Sequence, residues 1–365
     1  MTDTLKQLTD LGVSVWLDDL SRSRIKSGDL QSLIENRSVR GVTTNPTIFA
    51  QALANADDYS DAVAQCKDQG LDAEQTIFEI TSEDVRMACD IFKPVFEETK
   101  GVDGRVSIEV SPLLANDTEG TIAQAKQLWE KVDRKNLLIK IPATKEGLPA
   151  ITEVIAAGIS VNVTLILSLN RYSEVIDAYM RGVRQANENG LDVSKIHSVA
   201  SFFVSRVDAS VDKLLEEHSP EASKLKGKAA IANARLAYSL FLDEFVSAKW
   251  KPMADLGANV QRPLMASTGV KNPEYSETMY VTELAAPNLV NTMPEKTMEA
   301  TYQRGAFSTD TITPNLEHAS AEWQAIGELV DLRSVTKELE IEGVMKFKQS
   351  WSELLETVEK ALDSK

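Results

Sequence analysis

Residues 136–144 read NLLIKIPAT. Leu137, Leu138, Ile139 and Ile141 form the short apolar run expected of a strand covered on both faces, as in a parallel sheet packed by helices. Lys140 stands in the middle of that run. A buried ammonium is costly unless it is paired, and giving up its proton is the usual escape. A neutral lysine amine attacks carbonyls, which is how Schiff-base chemistry begins. A second reading stays open on the strand alone, that of a lysine whose stem packs while its ammonium snorkels to water.

Outward from this strand, similar runs occupy residues 13–17, 39–43 and 106–110 before it, and 159–167, 198–204 and 263–267 after it. Residues 279–284 are the expected eighth. Segments with helical spacing separate them: 25–34, a helix from Thr118 with Ile122, Ala125, Leu128 and Trp129 on one face, 147–157, 171–187, and a long stretch carrying Ile231, Ala234, Tyr238, Leu242 and Phe245. Alternation of strand and helix predicts an α/β fold with a parallel sheet. Eight such strands predict a closed (β/α)8 TIM barrel, and no Gly-x-Gly-x-x-Gly follows the first strand to favour a dinucleotide-binding sheet. The expected organisation is one domain over 1–365, with a helical insertion at about 47–100 and a helical C-terminal extension at about 296–365. Pro94 is expected to interrupt or kink the insertion. Val344, Phe347, Trp351, Leu354, Leu355, Val358 and Leu362 make one apolar stripe, expected to pack on the barrel wall. A subunit contact is the alternative, so monomer and homodimer both stay open.

Composition narrows the function. The apolar fraction is 43% and the net charge −16, which argues against nucleic acid or an anionic membrane as partner. A phosphorylated substrate would be repelled overall and would need local cations. Cys66 and Cys89 make no disulfide framework, and residues 1–19 lack a signal peptide's basic start and apolar core, so the cytoplasm is expected. His197, His218 and His318 belong to no metal motif, and no metal is expected.

Active sites of such barrels gather at the C-terminal ends of the strands, from side chains that point inward at every second position. Asp18 and Asp19 end the first strand, and only one of them can face the centre. Asn45 follows the second, held extended by Pro46. The third carries Glu109. The fifth carries Asn162 and Thr164 on one face, and the sixth carries Ser201 and Phe203, with Arg206 just beyond. The seventh ends at Ser267. Each alone has an ordinary explanation as a helix cap, a satisfied strand polar group or a solvated charge. Their convergence at one end around a lysine is the pattern of an enzyme site.

GVTTNPTIF, VSIEV, NLLIKIPAT, ISVNVTLIL and SVASFFVSRVD, in that order, resemble transaldolase, a Schiff-base enzyme of the class I aldolase superfamily in the non-oxidative pentose phosphate pathway. The VWLDDLSR opening and the length are similar to the longer bacterial branch. The resemblance implies an eight-stranded barrel with the imine-forming lysine on the fourth strand, at Lys140. It implies an acid/base aspartate at Asp18, a substrate-orienting asparagine at Asn45 and a proton-shuttling glutamate at Glu109. Asn162 and Thr164 would lie near the lysine, with Thr164 holding a catalytic water. Ser201 and Phe203 would line the substrate, and Arg206 would bind phosphate. Ser267 matches the family's second phosphate-binding region, where Lys271 would stand in for an arginine across a different spacing.

The implied reaction moves a dihydroxyacetone unit from sedoheptulose 7-phosphate or fructose 6-phosphate to glyceraldehyde 3-phosphate or erythrose 4-phosphate, with no cofactor. Two rivals remain: an aldolase like fructose-6-phosphate aldolase that releases free dihydroxyacetone, and a non-catalytic barrel that serves interaction.

Overall fold

The computed structural model describes residues 3–54 and 56–363. Eight strands close into one barrel in chain order, each parallel to its neighbours: β1 (Val13–Leu17), β2 (Val39–Val42), β3 (Arg105–Glu109), β4 (Leu137–Pro142), β5 (Val161–Ile166), β6 (Ser198–Phe203), β7 (Gln261–Ala266) and β8 (Leu289–Met293). β8 returns to pair with β1, so no edge is left open. This is a (β/α)8 TIM barrel, as the alternating pattern predicts.

Register and the period of two decide which side chains fill the interior. Glu109 pairs with Lys140, and Lys140 with Asn162, so three strands present polar groups side by side. Trp16 pairs with Gly41 on one side and Thr292 on the other. Gly41 is needed there, because a Cβ would sit 2.6 Å from the Trp16 ring. The indole, fully buried, plugs the barrel below its C-terminal end. Beneath it Asp103 accepts from Ser14 Oγ at 2.6 Å, Trp16 Nε1 at 3.2 Å and Arg262 Nη1 at 3.1 Å, sealing the opposite end with a hydrogen-bonded polar cluster.

The helices are α1 (Thr4–Asp10), α2 (Arg22–Lys26), α3 (Asp29–Arg37), α4 (Pro46–Leu53), α5 (Ala56–Asp68), α6 (Ala73–Glu98), α7 (Thr118–Val132) and α8 (Gly147–Ala156). After these come α9 (Leu169–Glu188), α10 (Ser205–His218), α11 (Ala229–Phe245), α12 (Lys251–Ala254), α13 (Met279–Thr282), α14 (Glu295–Arg304), α15 (Leu316–Gly327) and α16 (Leu332–Asp363).

Several expectations need correction. The segment 279–284 is not the eighth strand: it makes the short helix α13, and β8 lies ten residues further on. The chain from about 296 is therefore not all extension, since α14 directly follows β8 as a helix of the barrel unit and only α15 and α16 come after it. Residues 25–34 are not one helix. Gly28, in the left-handed region at φ 82°, divides α2 from α3. Of the two effects expected of Pro94, interruption does not occur, since α6 runs on to Glu98. The apolar stripe of α16 does not lie along the barrel wall. It packs on α4, α5 and α6 at one side and α10 at the other, and touches β5 between them, so the helix crosses the C-terminal mouth of the barrel. Amphipathicity shows that a face is buried without saying against what.

Candidate active site

Lys140 is 4% exposed, and its Nζ donates to the carbonyl of Thr44 at 2.9 Å. Glu109 Oε2 lies 3.3 Å from the same nitrogen, an ion pair without a well-aligned hydrogen bond. The snorkelling alternative is thereby corrected: the amine ends inside the barrel, not in water. Burial pushes the Glu109 carboxyl above its usual range, and the nearby Lys140 charge draws it part of the way back.

Asp18 and Asp19 separate as period two requires. Asp18 faces the cavity, while Asp19 points outward to an ion pair with Arg24 at 2.9 Å. Thr43 Oγ1 donates to Asp18 Oδ1 at 2.7 Å and lies 2.6 Å from Thr292 Oγ1, so strands β2 and β8 together fix the carboxylate. Burial raises the Asp18 pKa as well, opposed by Lys140 and by the Thr43 hydrogen bond. Two interior carboxyls with raised proton affinity thus flank one amine.

Asn45 has the extended backbone that Pro46 demands, at φ −157° and ψ 169°. Its Oδ1 caps α4 by accepting from Ile48 N at 3.0 Å, leaving Nδ2 without a partner among the described residues. Asn162 is fully buried and donates to Ser107 Oγ at 3.0 Å, while Ser201 Oγ donates to Asn162 Oδ1 at 2.7 Å. Neither Glu109 nor Asn162 reaches the open cavity, and both stand beside Lys140 in register. The Thr164 hydroxyl is buried without a hydrogen-bond partner among the described residues.

Arg206 sits in the first turn of α10, with its guanidinium carbon 5.4 Å from the Phe203 ring centre. It makes no ion pair among the described residues, and burial lowers its proton affinity against the pull of Glu342. Ser267, in the left-handed region at φ 56°, places its hydroxyl 3.0 Å from that of Ser205 at the start of the same helix. Lys271 is exposed and does not line the cavity.

The cavity has a volume of about 90 Å³ and combines Asp18, Asn45, Lys140 and Thr164 with Ser201, Phe203, Arg206 and Ser267. Thr43, Thr292 and Phe347 also line it and were not expected from sequence. Thr43 stood in the open, two positions after the interior Gly41. Thr292 was hidden by the misassigned eighth strand, and no local signal marks Phe347. Among the described residues no group of His, Cys, Asp and Glu is arranged to hold a metal ion. The arrangement offers one nucleophile, two proton carriers and a cation at the rim.

Comparison with known proteins gives a consistent result. The family described as Transaldolase/Fructose-6-phosphate aldolase matches residues 15–358. A protein named transaldolase from Arthrobacter sp. (strain FB24) is 56% identical over 366 residues, covering 100% of this chain and 99% of its own. Transaldolases of Kocuria rhizophila and Mycobacterium tuberculosis are 55% and 54% identical, covering 100% and 99% of this chain and 100% and 97% of theirs.

Proposed function

The chain belongs to the transaldolase/fructose-6-phosphate aldolase family and works as a transaldolase, and from that premise we propose that Lys140 carries the three-carbon unit as a Schiff base. The observation behind this assignment is the Lys140 amine held inside the barrel between the Thr44 carbonyl and Glu109, at a cavity that Asp18 also lines.

Lys140 attacks C2 of a ketose phosphate, sedoheptulose 7-phosphate or fructose 6-phosphate. Glu109 moves the protons that let hydroxide leave the carbinolamine, through a water on the unpartnered Thr164 hydroxyl. The iminium so formed is an electron sink. Asp18 takes the proton of the C4 hydroxyl, the C3–C4 bond breaks and the aldose phosphate departs. The enamine left on Lys140 then adds to glyceraldehyde 3-phosphate or erythrose 4-phosphate, Asp18 returns the proton to the new C4 hydroxyl, and water adds at C2 of the resulting iminium so that the C2–N bond breaks, freeing the new ketose phosphate and the Lys140 amine. Asn45 and Ser201 orient the sugar hydroxyls, and Asn162 steadies the lysine from the neighbouring strand.

Arg206, Ser267 and the N-terminus of α10 bind the phosphate, since a guanidinium, a hydroxyl and the positive end of a helix dipole favour a dianion. Lys271 plays no part in that site in our reading. The barrel, α4–α6 and α15–α16 act as one domain, because the cavity takes residues from both the barrel and α16. Among the described residues no helix is long and apolar enough to cross a membrane, and we place the reaction in the cytoplasm, within the non-oxidative pentose phosphate pathway.

Borohydride reduction in the presence of fructose 6-phosphate tests the assignment. A three-carbon adduct on Lys140, lost in Lys140→Ala together with transfer to an acceptor aldehyde, is the expected result. An unlabelled Lys140, or full activity in the variant, would overturn it.

A further inference from the structure

We propose that the N-terminal end of the barrel, opposite Lys140, holds a second anion site, a cavity bounded by Arg105, Arg262 and His197 that binds a phosphate group. The inference stands apart from the Schiff-base reading.

The cavity has a volume of about 190 Å³, room for one small oxyanion or for several waters at roughly 30 Å³ each. Arg105 is the first residue of β3, Arg262 the second of β7, and His197 immediately precedes β6. Val102 and Asn288, both exposed, also line the cavity, so it opens to solvent beside them.

Charge at this end does not balance. Arg105 is 2% exposed. Its Nε donates to the Gly101 carbonyl at 2.8 Å, its Nη1 to the Lys135 carbonyl at 3.2 Å, and its Nη2 again to Gly101. The Phe96 ring centre lies 5.0 Å from the guanidinium carbon. Carbonyls and a ring ease a cation without cancelling its charge. Asp103 is already paired with Arg262 at 3.1 Å, so one carboxylate stands against two guanidiniums. Burial draws the Arg105 pKa down to about 9, which still leaves it charged at neutral pH. A buried charge is rarely left without a counterion.

Donors remain for that counterion. Arg105 Nη1 and Nη2 each carry a second N–H beyond the bonds above. The terminal nitrogens of Arg262 donate to Val102, Asp103, Ser14 and Leu289, but its Nε is buried without a partner among the described residues. His197 Nε2 and Arg105 Nη2 flank Gly101, where a Cβ would lie 3.3 Å from the first and 3.4 Å from the second. Asn259 Nδ2 is 3.4 Å from His197 Nε2 but spends its two hydrogens on the Ser194 and Ile196 carbonyls. Burial, helped by both arginines, pushes the His197 pKa down to about 3, so the ring is neutral with one N–H to give. Donors from three strands suit the several directions of phosphate oxygens better than the single plane of a carboxylate. Arg262 spans the β1–β8 seam through Ser14 and the Leu289 carbonyl, so a phosphate bound here braces that seam.

Histidine-selective NMR of the full-length protein, titrated with inorganic phosphate, tests this. The His197 signal, identified by its loss in His197→Gln, should move along a saturable curve, and chloride at equal ionic strength should leave it in place. The response should persist in Arg206→Ala, which disables the phosphate site proposed at the other end of the barrel. Arg105→Gln should weaken the apparent affinity about tenfold or more. Val102→Glu puts a repelling carboxylate at the exposed opening and should do the same, which covers the case in which Arg105→Gln fails to fold. Glycerol 3-phosphate, titrated in parallel, separates the two sources of a phosphate group: a matching response means that esters enter, and a response to inorganic phosphate alone means that the free ion is the ligand. Either upholds the proposal. A His197 signal that neither moves, that chloride moves equally, or whose response is lost in Arg206→Ala overturns it, as does unchanged affinity in the folded variants.

Discussion

Asp18 and Glu109 owe their raised proton affinity first to burial, and only then does the Lys140 charge oppose it. The proposed mechanism needs Asp18 ionised to take the C4 hydroxyl proton. A raised pKa keeps the carboxyl protonated to higher pH, so the acid limb of kcat/KM should lie above the ordinary aspartate value of 3.8. A pH–rate profile with that limb at or below the ordinary value would contradict the assignment. Arg206 carries a different kind of expectation. Removing a charge-assisted donor to phosphate costs about 1.5–3 kcal/mol, so Arg206→Ala should raise KM for fructose 6-phosphate by roughly ten- to a hundredfold. The unphosphorylated sugar, compared in the same steady-state assay, should hardly respond. Sequence alone brought most of these side chains together, because period two and strand order are enough to say which residues point inward at one end. Thr43 and Thr292 escaped it because the partner of a carboxylate depends on register between strands distant in sequence.

Elements were legible where local chemistry and tertiary demand agree. Residues 13–17 are a strand at those bounds, and α7 begins at Thr118 behind the Asp117 cap. The eighth strand failed because MYVTEL has the β-branched and aromatic residues of a strand, while LVNTM hides its own behind Asn291 and Thr292, whose side chains the barrel satisfies or buries. Interior closeness gives one test. Gly41→Ala forces a methyl into the Trp16 ring and should cost about 1–3 kcal/mol, read from the shift in a denaturant melt. Asp208 in α10 gives another. It accepts from Ala230 N at 2.7 Å and Tyr280 Oη at 2.7 Å, tying α10 to α11 and α13. Burial pushes its pKa up to about 6, against an ordinary 3.8. The folded state therefore holds the proton more tightly, and this carboxyl loses stability as pH rises between those two values. The melting temperature of Asp208→Asn relative to the native protein should accordingly be higher near neutral pH than near pH 4. A difference that does not change with pH would refute the raised ionisation.

At the scale of the whole molecule, charge and closure set the conditions under which the site works. A net charge of −16 repels sugar phosphates, and Arg206 supplies positive charge at the cavity. The barrel class was legible from alternation alone, but the path of α16 across the mouth was not, since an apolar stripe fits a wall, a mouth or a partner equally well. The seam between β1 and β8 has a kinetic meaning. Its two strands are the first and the last of the eight, so their pairing closes a very long loop, the kind of contact that forms slowly. Helices and the Lys140 strand can form before it, but a sheet without that seam has two bare edges. α16, which needs α4–α6 and α10 already in place, docks with or after it. On dilution from denaturant, far-UV circular dichroism should therefore recover before transfer activity, and coincident recovery would exclude late closure. Activity in this chain is a clock for barrel closure, and weakening of the seam would show first as a longer delay before turnover begins.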